Sequence, residues 1–177
     1  MSEGALCAVT VIGEDRPRIV ATVARVLFDA GCNLEDVSST ILRGHFSMVL
    51  IVRAPEGSDP ERLQERFSEV TKELGLVVAV RPVAEAPVHV TPPTHMVSVY
   101  GADRPGIVFR VAEKLADVGV NVTDLTSRVI GPDSAPVYAL MLEVAAPGSD
   151  DLQASLEAVA QELEIDVTVR GLDADIL

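Results

Sequence analysis

An eight-residue motif occurs twice: Gly13-Glu14-Asp15-Arg16-Pro17-Arg18-Ile19-Val20 returns as Gly101-Ala102-Asp103-Arg104-Pro105-Gly106-Ile107-Val108, with its first residues at positions 13 and 101, 88 apart. That period is too long for a solenoid repeat and fits two small domains in tandem. A short apolar run precedes each copy, at residues 5–12 and 96–100, and a helical pattern follows it. A residue before proline is biased away from helical geometry, and proline suits the first helical position. Arg16-Pro17 and Arg104-Pro105 therefore predict a strand-to-helix turn whose helix starts at the proline. A helix start leaves backbone N–H groups without intrahelical partners and carries positive partial charge, so it can seat a carboxylate or phosphate.

The repeat continues beyond the motif. Apolar residues fall at helical spacing at Ile19, Val23, Val26, Leu27 and Ala30, and again at Ile107, Val111, Leu115 and Val118. Gly31 and Gly119 supply the residue type that ends helices in left-handed geometry, and Asn33 and Asn121 follow two residues later. Alternating strands are expected at residues 33–42 and 121–130, then at 46–53 and 137–145. The first pair is joined through Arg43-Gly44, and the second through a longer loop at 131–136. Loops at 54–59 and 146–150 end in Ser-Asp, a good helix cap. The helices after them bury Leu63, Phe67, Val70 and Leu74, and Leu152, Leu156, Val159 and Leu163, each set on one face. Last strands are expected at 76–83 and 165–172.

Each repeat is thus β-α-β-β-α-β: an α+β chain of two tandem ferredoxin-like domains with antiparallel sheets. The domains span 1–83 and 95–177, with a proline-bearing, semi-stiff linker at 84–94. The first strand is apolar on both faces, Leu6, Ala8 and Ile12 on one and Cys7, Val9 and Val11 on the other. Helices on one side cover only one of them, so packing against another domain or subunit is expected, and with it a homo-oligomer.

Composition narrows the function. The formal net charge of −13 repels nucleic-acid phosphates and anionic membrane surfaces, which disfavours direct DNA binding. An RNA-recognition module of the same strand order would need exposed aromatics on a basic surface, whereas Phe46 and Tyr138 stand isolated. Cys7 and Cys32 lack C-x-x-C spacing and sit in apolar surroundings, as buried free thiols in a reducing cytoplasm would. No signal peptide or membrane span is evident, so the protein reads as cytoplasmic. His45, His89 and His95 form no metal-ligand spacing, and no nucleophile stands with a base; neither a metal site, a cofactor nor a catalytic residue is expected. Gly106-Ile107-Val108-Phe109-Arg110 looks like part of an acylphosphatase loop, which leaves a hydrolase as one alternative. Asp103-Arg104-Pro105 stands where that loop needs its phosphate cradle. A ligand-free scaffold is the other alternative: the turn could simply shape a bend, with Asp15 or Asp103 near the helix's positive end. An asparagine that donates and accepts at once suits a zwitterion, and recurrence of both features favours a binding role.

Paired repeats carrying Asp-Arg-Pro-Gly-Ile-Val after the first strand and Gly-x-Asn after the first helix resemble tandem ACT domains. More narrowly, the whole chain is similar to the glycine cleavage system transcriptional repressor family. That resemblance implies a small amino acid, glycine or serine as first guesses, held at an interface between ACT domains. The first loop and helix start of one domain and the second strand of its neighbour would cup it. It also implies modulation of a protein partner such as a transcription factor. On this sequence it nominates Asp103, Arg104, Pro105, Gly106 and Ile107 with Asn121 and Val122, and Asp15, Arg16, Pro17, Ile19, Asn33 and Leu34 in the first repeat. Arg18 stands where the second repeat has Gly106. It either restricts approach to the backbone or offers the carboxylate a cation.

Overall fold

A computed structural model describes residues 4–85, 91–132, 134, 136–146 and 151–172. The chain divides near residue 87 into two compact units. The first contains β1 (Leu6–Glu14), α1 (Ile19–Asp29), β2 (Asn33–Leu42), β3 (His45–Arg53), α2 (Pro60–Arg66), α3 (Ser68–Leu74) and β4 (Val77–Pro82). The second contains β5 (His95–Gly101), α4 (Ile107–Asp117), β6 (Asn121–Ile130), β7 (Val137–Ala145), α5 (Leu152–Leu163) and β8 (Asp166–Gly171). Their sheets have the same order, β2-β3-β1-β4 and β6-β7-β5-β8, and every neighbouring pair is antiparallel. This is the ferredoxin-like α+β architecture expected from the repeat, once per unit. The central part of the expected linker, with Pro87 and His89, lies outside the described residues, as do residues 147–150.

Alternation along the central strands decides which face is buried. Cys7, Val9 and Val11 of β1, with Met48, Leu50 and Val52 of β3, lie under the helices, where they meet Ile19, Val23 and Leu27 of α1. Val97 and Val99 of β5 and Leu140, Leu142 and Val144 of β7 repeat the arrangement against Ile107, Val111 and Leu115 of α4. These side chains are essentially inaccessible, and each Leu or Ile so buried is worth roughly 1.5–3 kcal/mol in transfer terms. On the opposite face Ala8 and Thr10 are half-buried while Ile12, Val49 and Val77 are exposed.

The first unit's second helix departs from expectation. A continuous helix through Leu63, Phe67, Val70 and Leu74 is instead two pieces, α2 and α3, separated at Phe67. The Phe67 amide donates to the Gln64 carbonyl three residues back, at 3.2 Å, so one turn is overwound. That tightened turn accompanies complete burial of Phe67, the largest of the fully buried side chains. Leu156, the smaller residue at the equivalent place, sits in the uninterrupted α5.

Candidate functional site

Both helices that follow the repeated motif start later than the prolines imply. α1 begins at Ile19 and α4 at Ile107, two residues past Pro17 and Pro105. The intervening residue explains the correction: Arg18 has φ 80° and Gly106 φ 98°. Left-handed geometry cannot be continued into a right-handed helix by L-residues, so each proline belongs to the turn and the residue after it becomes the N-cap. Gly106 thus answers first to its own backbone. A Cβ built there meets no atom within 4 Å. Crowding operates instead at the motif's first glycines, where a Cβ would stand 2.5 Å from Leu76 Cδ2 at Gly13 and 2.6 Å from Ile165 Cγ2 at Gly101.

The two helix starts present backbone donors to their surroundings. The Arg18 and Gly106 carbonyls accept the amides of Thr22 and Arg110, each at 2.9 Å. The first amides, at residues 19–21 and 107–109, thereby lack an intrahelical acceptor. Neither cap residue bonds them through its side chain, and neither first turn contains an acidic residue. Helices α2 and α5 differ: Asp59 accepts from the Glu61 amide at the start of α2, and Asp151 from the Ala154 amide at the start of α5, while α3 follows α2 through Phe67 with no side-chain cap. Asp15 and Asp103 do no such capping. The Asp15 main-chain amide instead donates to the Gly44 carbonyl at 2.7 Å, tying the bend to the β2–β3 hairpin.

Charges around the two bends are arranged differently. Arg16 pairs with Glu14 at 2.6 Å, and hydrogen bonding from Arg16 holds the Glu14 carboxyl below the usual range. Arg104 turns away to Glu164 at 2.8 Å, beside the end of α5. Arg18 is exposed, and its guanidinium has no ion-pair partner among the described residues. Arg110, on which the hydrolase alternative depends, is bound by both carboxylate oxygens of Glu162 at 2.7 and 2.8 Å and by Glu113 at 3.0 Å. Those bonds, Glu162 first, push its guanidinium further toward the charged state. The group is neutralised by carboxylates rather than held ready for an anion.

Of the nominated side chains, Ile19 and Ile107 are 2% exposed and belong to the core, so only their main-chain amides can face a ligand. Pro17, Pro105, Asp15, Asp103, Asn33, Leu34 and Asn121 are exposed, and Val122 is half-buried against the second core. The carboxamides of Asn33 and Asn121 make no hydrogen bond among the described residues. Register fixes how far they lie from the bends. Gly101 pairs with Tyr138 and Asn121 with Ala145, positions at opposite ends of β7. Gly13 pairs with Phe46 and Asn33 with Arg53 in the same way. Seven residues of strand separate each pair, roughly 23 Å. One module alone does not bring its bend and its asparagine together.

Other features lie elsewhere. A concavity of about 450 Å³ on the open face of the second sheet is lined by Met96, Tyr100, Asp124, Arg128, Met141 and neighbouring side chains, and by none of the nominated residues. Burial pushes the Cys7 thiol up, and burial followed by the nearby Cys7 pushes up Cys32, which is half-buried rather than buried as expected. Neither is poised as a thiolate nucleophile. Among the described residues no polar or charged side chain is buried, no acidic, histidine or cysteine side chains cluster to hold a metal ion, and no helix is long and apolar enough to cross a membrane.

Comparison with known proteins agrees with the sequence resemblance. ACT-domain family patterns match residues 6–81 and 95–163. Over 167 residues the chain is 30% identical to phosphoserine phosphatase SerB2 of Mycobacterium tuberculosis, a match covering 91% of this chain and 39% of that protein. The chain therefore spans well under half of that relative's length. It is 24% identical over 165 residues to the glycine cleavage system transcriptional repressor of Escherichia coli, covering 92% of this chain and 86% of the repressor. A solved protein from Galdieria sulphuraria has the same fold, with TM-score 0.79 and 23% identity over 95% of this chain and 98% of that one.

Proposed function

The chain belongs to the ACT-domain family, with one ACT domain in each repeat, and we propose that it is a non-enzymatic sensor of a small amino acid. Glycine and serine are the first candidates, through similarity to the glycine cleavage repressor. In this reading the ligand carboxylate sits on the unpartnered amides of a helix start and its ammonium on the Asn121 or Asn33 carboxamide of an adjoining ACT module. The adjoining module is required because bend and asparagine lie at opposite ends of their own sheet.

The observation that carries the proposal is the contrast among helix starts. The helices after the repeated motif are open to an anion in both copies, while Asp59 and Asp151 close α2 and α5. Ligand binding would favour one arrangement of modules. By linkage it would change affinity for a protein partner, such as a transcriptional regulator, by the factor that the partner changes amino-acid affinity. The absence of buried polar side chains among the described residues and the engagement of Arg110 favour this over acyl-phosphate hydrolysis.

A thermal-shift panel of the amino acids tests it. The cognate ligand at a hundred times its dissociation constant should stabilise the protein by about 2.7 kcal/mol. Asn121→Ala should abolish that shift and leave the ligand-free melting temperature in place, since its exposed side chain bonds nothing among the described residues. A flat response to every amino acid would favour the ligand-free scaffold.

A further inference from the structure

The open face of the second sheet is built differently from that of the first. Register sets its side chains in rows across the strands: Tyr100 of β5 and Arg128 of β6 both pair with Ala139 of β7, and Met96 and Asp124 both pair with Glu143. At the matching places the first sheet has Ile12 and Thr40 about Ser47, then Ala8 and Asp36 about Ile51. A surface of short polar and aliphatic side chains with one acid has thus become one with a phenol ring, a guanidinium, a thioether and two carboxylates.

The first of these rows shapes the concavity of about 450 Å³, a size that falls within the range of small-molecule sites, roughly 300–1,000 Å³. Ala139, small and only 8% exposed, is its floor between Tyr100 on one side and Arg128 on the other. Those two residues stand two strand spacings apart, about 9.6 Å. A flat ring needs about 3.5–4 Å to each neighbour, so one fits in the gap. Phenol ring and guanidinium both favour an aromatic face. Met141 carries the apolar floor onward toward the second row.

That second row lies about 13 Å along the strands. In it Asp124 stands directly opposite Glu143, and like charges so opposed cost stability. Neither carboxylate, nor Arg128, has an ion-pair partner among the described residues. Two acids against one cation, in a chain of net charge −13, draw in a cation rather than an anion. A short amine tail on the ring, a hydrogen bond and the length of the Glu143 side chain together cover the distance between the rows.

We propose that the open face of the second sheet binds a small aromatic amine as its cation, with the ring over Ala139 between Tyr100 and Arg128 and the ammonium toward Asp124 and Glu143. The site shares no residue with the bends or with Asn121, and an amine without a carboxylate offers no anion to a helix start. This proposal and the amino-acid reading can therefore fail separately.

Tryptamine is a suitable probe, because the chain contains no Trp and indole fluorescence then reports the ligand alone. Titrating the full chain into tryptamine should raise its fluorescence anisotropy to saturation, and 3-indolepropionate, the same ring with a carboxylate, should not respond. Glu143→Gln should weaken tryptamine binding roughly tenfold or more, and Ala139→Leu, which fills the hollow, should abolish it. Should Ala139→Leu disturb the sheet, Tyr100→Leu keeps the apolar bulk, removes the ring and should weaken binding several-fold. No saturable binding at millimolar tryptamine, as when another module covers this face, would overturn the proposal. So would equal binding of 3-indolepropionate, or unchanged affinity in Glu143→Gln and Tyr100→Leu.

Discussion

The two ACT modules share a backbone and have exchanged their strained residues. The exchange concerns two of the equivalent places where both modules take left-handed geometry, the residue before the first helix and the residue after the last; a third, Gly31 and Gly119 after the first helix, is glycine in both. The first module puts Arg18 (φ 80°) at one and Gly75 (φ 64°) at the other; the second puts Gly106 (φ 98°) and Glu164 (φ 51°). The fold imposes the conformation, and each module meets it once with glycine and once with a charged side chain. The charge then serves locally. Glu164 takes up Arg104, while Arg18 leaves a cation beside the first module's open helix start. The copies differ in the electrostatics of their bends and agree in their shape.

The largest expected difference concerns crowding. Gly101→Val should destabilise the second module by about 1–3 kcal/mol, because the added atoms press on the β-branched Ile165 close to its main chain. Gly13→Val should cost visibly less, since the contact is with the end of the flexible Leu76 side chain. Equal losses in denaturant unfolding would show that the two approaches are not distinguished in this way. An intermediate effect comes from exchanging the N-cap residues. Arg18→Gly should relieve left-handed strain and stabilise by up to about 1 kcal/mol, and Gly106→Arg should destabilise by a similar amount. A loss of stability in Arg18→Gly would mean that the guanidinium is anchored.

The smallest effect is a titration. The folded Glu14 carboxyl is depressed by its bond to Arg16, so the stability it contributes is present above the unfolded-state pKa and lost as pH falls through the folded value. NMR titration should place Glu14 below an ordinary glutamate, and Arg16→Ala should return it to the ordinary range. An unchanged midpoint in that variant would remove the ion pair as the cause.

Much of this was legible in residue order. Helical spacing and the doubled motif gave both modules their element order, and alternation separated Cys7, Val9 and Val11 from the open face. The helix starts were misplaced because Arg18 disguises a left-handed position; Gly106 in the other copy was the available signal. The tight turn at Phe67 left no local mark in residue order; in the fold it coincides with complete burial of that side chain. Gln64 and Gln153 went unread although each follows the first core leucine of its helix. Only the folded sheet shows that their carboxamides reach β4 and β8. As for the site, the sequence marked bend and asparagine, but strand register was needed to show that one module keeps them apart.

The glutamine clasps also bear on solubility. Gln64 holds the Val78 carbonyl and the Val80 amide, and Gln153 the Val167 carbonyl and the Val169 amide, so a strand added along β4 or β8 must displace two hydrogen bonds. Two side chains thus place a toll on aggregation in a chain whose outer strands would otherwise invite it.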